Sequence, residues 1–210
     1  MNAEERRDFD VEAAKWDQNA GRVKLANDVA DAIIRVINPG KELDVLDFGC
    51  GTGLVTLRLQ PYVRSITGVD SSPGMLGMLE GKKTKLGLDN VHTQAVDFEK
   101  GGVVEGTYDL IISSMTLHHV PDTDALFRQW RNLLKPEGRI CFADLDTEDG
   151  SFHSDNTGVC HFGFHRESLN KLLSECGFRN VLDITAATVV KDIDGIRRKE
   201  FPVFLIEGKR

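Results

Sequence analysis

The chain has 210 residues, with 26 Lys and Arg against 33 Asp and Glu, for a formal charge of −7. Hydrophobic residues make up 40% and charged residues 28%, a balance that excludes a disulfide scaffold, a collagen-like repeat and a disordered tail. One soluble domain with its own core is expected, and the acidic excess argues against the basic footprint that nucleic-acid binding needs. The four cysteines, Cys50, Cys141, Cys160 and Cys176, form no C-x-x-C pair and suit a reducing compartment. The first residues, Met-Asn-Ala-Glu-Glu-Arg-Arg-Asp, are followed by no apolar stretch, and no run approaches the roughly 18 apolar residues of a membrane span. The expectation is a cytoplasmic protein with neither a nucleic-acid nor a membrane partner; composition leaves its oligomeric state open.

Residues 11–37 carry helical periodicity, with Ala26, Ala30, Ile33 and Ile37 on one face and Asn38-Pro39-Gly40 as the stop. An apolar run over 43–48 leads into glycines and a helical stretch at 54–59. A second strand at 64–69, a helix over 73–86, a third strand at 91–96 and a fourth at 108–113 follow. The helix at 122–134 stacks Leu126, Trp130, Leu133 and Leu134, and Lys135-Pro136-Glu137-Gly138 ends it. A fifth strand spans 139–145. The helix over 166–176 places Leu169, Leu172, Leu173 and Cys176 on one face. Strands at 181–188 and 202–206, joined by a charged turn over 191–200, close the chain as a hairpin. Such alternation specifies an α/β fold, a doubly wound, mainly parallel sheet with helices on both faces and its ligand at the carboxyl ends of the strands.

The strongest local signal is Val45-Leu46-Asp47-Phe48-Gly49-Cys50-Gly51-Thr52-Gly53, a strand, a glycine turn and a helix start. Glycines let backbone approach a ligand closely, and the helix start supplies free N–H groups. The spacing is G-x-G-x-G, with Leu54 where a dinucleotide fingerprint wants glycine, which weakens a pyrophosphate reading. Asp47, before the first glycine, suits a positive group better than a phosphate. Asp70, ending the second strand, can accept both hydroxyls of a ribose. Asp97-Phe98, after the third strand, suits an adenine amine and ring. Together these favour a cationic nucleoside without phosphates.

Across residues 40–145 these motifs resemble the class I S-adenosylmethionine-dependent methyltransferases of small-molecule type. The resemblance implies a Rossmann-like sheet of seven strands, the last antiparallel, with S-adenosylmethionine as cofactor and S-adenosylhomocysteine as product. It divides the single domain into a helical cap (1–40), a cofactor-binding core (41–145) and a lid segment, helix and closing hairpin (146–210). It would place Asp47, Gly49, Gly51 and Gly53 around the methionine end and Asp70 on the ribose. Ser71 and Met75 would line the adenine, and Asp97 and Phe98 would meet its edge and face. The Ser113 carbonyl would lie near the methionine ammonium. Trp16 either closes the pocket or anchors the first helix.

Methyl transfer from a sulfonium is an in-line displacement that alignment and dehydration can drive, with a base needed only for a protonated nucleophile. His118 and His119 follow the fourth strand, and His118 is read either as that base or as structural. The 146–165 stretch holds three histidines and three phenylalanines; it either encloses an acceptor, with His161 or His165 as polar contact or base, or seals the core, with His165 capping a helix. No metal is expected: the spacing of His153, Asp155, Cys160, His161 and His165 matches no zinc pattern. Asp144 and Asp146 could hold magnesium, but Ser113-Ser114 offers no further carboxylate. The chain lacks the Asn/Asp-Pro-Pro-Tyr/Phe motif of nucleobase-amine enzymes, a Pro-Cys nucleophile and the paired glutamates of arginine methyltransferases. A small-molecule acceptor is therefore expected by elimination, with a protein methyltransferase or a non-catalytic cofactor-binding scaffold as alternatives.

Overall fold

The computed structural model describes residues 7–193 and 197–210. Seven strands, β1 (Asp44–Phe48), β2 (Ser65–Asp70), β3 (Val91–Ala95), β4 (Tyr108–Ser114), β5 (Leu134–Leu145), β6 (Arg179–Ile193) and β7 (Arg197–Lys209), form one sheet in the order β3-β2-β1-β4-β5-β7-β6. The first five run parallel, and β7 enters antiparallel between β5 and β6. The helices are α1 (Phe9–Ala13), α2 (Ala20–Ile37), α3 (Leu54–Leu59), α4 (Pro73–Leu86), α5 (Thr123–Leu133) and α6 (Arg166–Glu175).

Strand alternation divides the core between the two faces. Val45, Ile66, Leu110, Ile112 and Val203 pack against Val29, Ile33, Leu59 and Leu79 of α2, α3 and α4. Leu46, Val69, Ile111, Phe142 and Phe204 pack against Phe127, Trp130, Leu169 and Leu173 of α5 and α6. Helix boundaries follow local chemistry. The side chains of Asn19, Ser72 and Asp122 cap α2, α4 and α5 by accepting from the backbone N–H of Arg22, Met75 and Ala125. Left-handed Asn38 and Gly87 terminate α2 and α4.

Three sequence expectations change. The amino-terminal helix is broken: α1 is followed by a 3-10 turn at Trp16–Gln18, and Asn19 restarts the chain as α2. β5 begins at Leu134 instead of 139, because Leu134 pairs with Tyr108 across a register shift in β4. The expected charged turn over 191–200 is largely ladder, with Val190 opposite Glu200, Lys191 opposite Lys199 and Ile193 opposite Arg197; the centre of that turn lies outside the described residues. β-branched Val189, Val190 and Ile193 favour the extended form. The 146–165 segment returns to the sheet through a parallel bridge between Asp146 and Phe164.

β1 is central and covered on both faces, so its packing is the most sensitive. Leu46→Ala is expected to cost about 2–5 kcal/mol, read as a lower urea midpoint with an unchanged slope.

Candidate functional site

The turn after β1 is held by an adjacent strand: the carbonyl of Val69 accepts from the N–H of Gly49 at 2.8 Å and of Cys50 at 3.0 Å. Gly49, Gly51 and Gly53 all have positive φ (68°, 54° and 83°), a region where side chains are strained. Their surroundings differ. A Cβ on Gly49 would lie 2.3 Å from Thr116 Cγ2, and one on Gly53 would lie 2.3 Å from Leu79 Cδ1, whereas Gly51 faces open space. Gly49 and Gly51 line a cavity of about 740 Å³ at the carboxyl ends of β1, β2 and β4, and Gly53 instead packs the start of α3 against α4.

Two carboxylates lie beneath this turn, Asp47 buried and Asp70 partly so. Asp47, 1% exposed, accepts from the Thr56 hydroxyl at 2.5 Å. Burial pushes its carboxyl up to about 7; the Thr56 hydroxyl pulls the other way and neighbouring Asp70 adds to the rise. Asp70 accepts from Gly51 N–H at 2.8 Å and Ser72 N–H at 2.9 Å, which temper the rise that burial imposes on it. Ser71, Met75, Asp97 and Phe98 continue the same wall. Asp97 pairs with Lys100 at 2.9 Å, and the Phe98 ring lies 4.6 Å from that of Phe48.

The amino-terminal segment forms another wall, which sequence reading had reduced to Trp16. Asp10 accepts from the Ser72 hydroxyl at 2.5 Å and Gly74 N–H at 2.6 Å, and Asp17 accepts from the Thr52 hydroxyl at 2.6 Å. These acids tie the segment to the loops after β1 and β2. Trp16 lines the cavity, edge-on to Phe9 at 5.9 Å and under the Arg22 guanidinium at 3.8 Å. It therefore both borders the cavity and anchors the segment.

Beyond β4 the cavity reaches Ser114 and Met115, one residue later than expected. The Ser113 hydroxyl is buried in a 2.9 Å bond to the Phe48 carbonyl, and Ser113 is not among the cavity-lining residues. His118 lines the cavity with its Nδ1 2.7 Å from Asp144 Oδ1, and its backbone N–H reaches the other oxygen at 3.3 Å. Burial works against the fully buried Asp144 carboxylate, but the His118 imidazole and two backbone N–H groups hold it below its ordinary value. The His119 and His153 rings lie 4.2 and 5.0 Å from that of His118. Burial, with His118 nearby, lowers them to about 4 and about 3, so both are neutral at pH 7.

The structure does not bring His161 and His165 to this cavity. His161 Nε2 bonds the Val120 carbonyl at 2.9 Å and its ring lies 4.9 Å from that of Phe164, while His165 precedes α6 at the capping position without a side-chain cap bond. The left-handed Gly163 (φ 72°) turns the segment back at this point, where a Cβ would meet the Asp146 carbonyl at 2.1 Å. Only its first half, Phe152, His153, Ser154 and Gly158, lines the cavity. Asp146 pairs bidentately with Arg166 at 2.7 Å and Asp144 is committed to His118, so the two acids serve different partners. Among the described residues no three His, Cys, Asp or Glu side chains are grouped to hold a metal ion, and no helix is long and apolar enough to cross a membrane.

A model of the methyltransferase domain matches residues 22–183, more than half of the chain. The chain belongs to the class I S-adenosylmethionine-dependent methyltransferase family. It is 32% identical over 183 residues to an uncharacterized methyltransferase of Schizosaccharomyces pombe, covering 79% of this chain and 63% of that protein. It is 30% identical over 149 residues to a ubiquinone biosynthesis O-methyltransferase of Coxiella burnetii, covering 70% and 63%. The chain thus spans less than two thirds of the length of these curated relatives. A crystal structure of an S-adenosylmethionine-dependent methyltransferase from Aquifex aeolicus shares the fold, with a TM-score of 0.69 at 18% identity over 95% of this chain and 97% of that one. The seven-stranded Rossmann-like architecture expected of this methyltransferase is the one observed.

Several site residues carried little sequence signal. Asp144 reads as an ordinary strand-end acid until its distance to His118 is known, and Thr56, Asp10 and Asp17 gain meaning only from the loops they touch. Val189, Val190 and Lys191 reach the cavity from the far end of the chain.

Two measurements probe this geometry. Gly49→Ala is expected to destabilise the protein by about 2 kcal/mol or more, and Gly51→Ala by about 1 kcal/mol, in chemical denaturation. A folded state that holds the Asp47 proton up to about pH 7 is favoured most below about pH 4, and that advantage is lost as pH rises to 7. Asp47→Asn should therefore gain on the parent by about 2.5 kcal/mol between pH 5 and pH 8, read from urea midpoints at those two pH values.

Proposed function

We propose that this methyltransferase transfers a methyl group from S-adenosylmethionine to a hydroxyl oxygen of a small-molecule acceptor. One observation carries the reading: His118, paired with the buried Asp144 behind it, lines the same cavity as the glycine turn and Asp70. The O-methyltransferase among its relatives supports oxygen as the nucleophile, and the −7 charge supports an acceptor other than nucleic acid.

The donor set fits the cofactor. Gly51 leaves free the space a Cβ would fill. Each Asp70 oxygen accepts one backbone N–H, which leaves lone pairs for the two hydroxyls of a ribose. Met75, Val96 and Phe98 offer an apolar slot for adenine beside Ser71 and Asp97. Asp47, poised near neutrality, suits the methionine ammonium, and Arg22, which lines the cavity above Trp16, suits the carboxylate. When bound, S-adenosylmethionine supplies a methyl on a cationic sulfonium, whose carbon–sulfur bond breaks as the acceptor oxygen bonds the carbon, the electron pair staying on the sulfur of S-adenosylhomocysteine.

His118 contributes the proton transfer. With Nδ1–H donating to Asp144, Nε2 carries the lone pair and takes the hydroxyl proton as oxygen becomes nucleophilic. Asp144 fixes that tautomer and offsets the imidazolium that forms. The remaining walls align the acceptor and exclude water, and alignment carries most of the barrier lowering.

Titration calorimetry with S-adenosylhomocysteine is expected to show binding, weakened about tenfold or more in Asp70→Ala. With methyl-labelled cofactor and a fractionated metabolite extract, label is expected in a small-molecule fraction. His118→Gln should lower the transfer rate about a hundredfold while cofactor affinity is retained. No heat and no thermal shift at saturating ligand would sink the reading, and label found only in protein would replace the acceptor class.

A further inference from the structure

One wall of the cavity has a charge that neither the cofactor nor the His118–Asp144 pair uses. Lys191, on β6, lines the cavity beside Val189 and Val190. Its ammonium sits 3.7 Å from the centroid of the Phe152 ring and donates to the Phe152 carbonyl. Among the described residues no carboxylate pairs with it directly. Glu148, the acid whose charge reaches it, accepts with Oε2 from the N–H groups of Ser151 at 2.8 Å and Phe152 at 3.1 Å. Burial, with Arg22 and Arg7 nearby, lowers the Lys191 ammonium from its ordinary value.

The two neighbouring guanidiniums are already engaged. Arg7 takes both oxygens of Glu12 at 2.6 and 2.8 Å, and Arg22 shares Glu12 at 3.2 Å while stacking on Trp16. His153 borders the cavity, its buried Nε2 has no hydrogen-bond partner among the described residues, and its ring lies 4.9 Å from Phe152. The wall therefore offers an ammonium without a paired carboxylate, an unused imidazole nitrogen and an aromatic face. A neutral acceptor seated here would displace water from a half-buried cation and return nothing, whereas an anion restores a charge-assisted bond.

We propose that Lys191 and His153 form a subsite for a carboxylate of the acceptor, so that the substrate class is an aromatic or apolar organic acid methylated at a hydroxyl. Lys191 supplies the charge and the neutral His153 ring a polar border, with the Phe152 ring and Val189 against the acceptor's apolar body. The inference rests on the methyl-transfer reading and refines its acceptor.

The test titrates benzoate, phenylacetate and cinnamate, each against its primary amide, into the protein saturated with S-adenosylhomocysteine, by ligand-observed NMR. Saturation fills the site of the cofactor's own carboxylate. The acids are expected to bind about tenfold or more tighter than the amides. Lys191→Met should erase this preference and Lys191→Arg should keep it, with S-adenosylhomocysteine affinity unchanged in both. Amides binding as well as acids, no probe binding, or a preference surviving in Lys191→Met would overturn the proposal. So would a tenfold loss of S-adenosylhomocysteine affinity in Lys191→Met, which would give the lysine to the cofactor. Should Lys191→Met fail to fold, the acid-to-amide ratio of the parent still decides. A parent protein that binds no S-adenosylhomocysteine would instead sink the methyl-transfer reading.

Discussion

The paired acceptance of Gly49 and Cys50 N–H by the Val69 carbonyl is the interaction on which the cavity depends. It bends the chain away from β1 at the point where the sheet order reverses, with β2 on one side and β4 on the other. In a parallel sheet the loops on either side of such a point leave toward opposite faces, and a crevice opens between them. The bend is available because Gly49 adopts a positive φ and Thr116 fills the space of the missing Cβ. A side chain there would push the β1 and β4 loops apart together, which couples the shape of the site to the packing of the sheet.

Within that crevice, charge is sorted by position. Asp47 and Asp70 sit below the glycine turn, both raised by burial; the Asp70 charge adds to the rise at Asp47, and that of Asp10 to the rise at Asp70. Histidines and Lys191 gather from the loop after β4, the segment after β5 and the closing hairpin. Each set is costly alone, since a desolvated charge without a partner lowers stability. The cationic cofactor and acidic acceptor proposed above would offset both costs. The His118–Asp144 pair differs because its partners are internal, and it holds one tautomer before any ligand arrives.

Much of this was legible in the sequence. The observed α3 and α4 spans, Leu54–Leu59 and Pro73–Leu86, coincide with those expected, because helix boundaries are set by neighbours three or four residues apart. The glycine turn and the strand-end positions of Asp47 and Asp70 were readable because strand and turn signals act between near neighbours. Errors arose where distant chain segments meet. Phe152 and Phe164 belong to one aromatic stretch, yet the left-handed Gly163 and the Asp146–Phe164 bridge send them to different places, and His161 and His165 leave the cavity with the second. The Ser113 carbonyl was expected near the methionine ammonium, but the cavity is lined by Ser114 and Met115 and the Ser113 hydroxyl is buried on Phe48.

Length, composition and an excess of acids allowed one acidic domain, and the local patterns within it determined an α/β sheet and a methyltransferase glycine turn, since both arise from neighbours a few residues apart. Tertiary structure alone decided which side chains share the cavity. Asp144 is 26 positions from His118 and Lys191 is 39 from Phe152, separations that carry no periodic signal. The sheet order brings the ends of β4, β5 and β6 around one opening, and that spatial arrangement, set by long-range strand pairing, makes separate residues into a site.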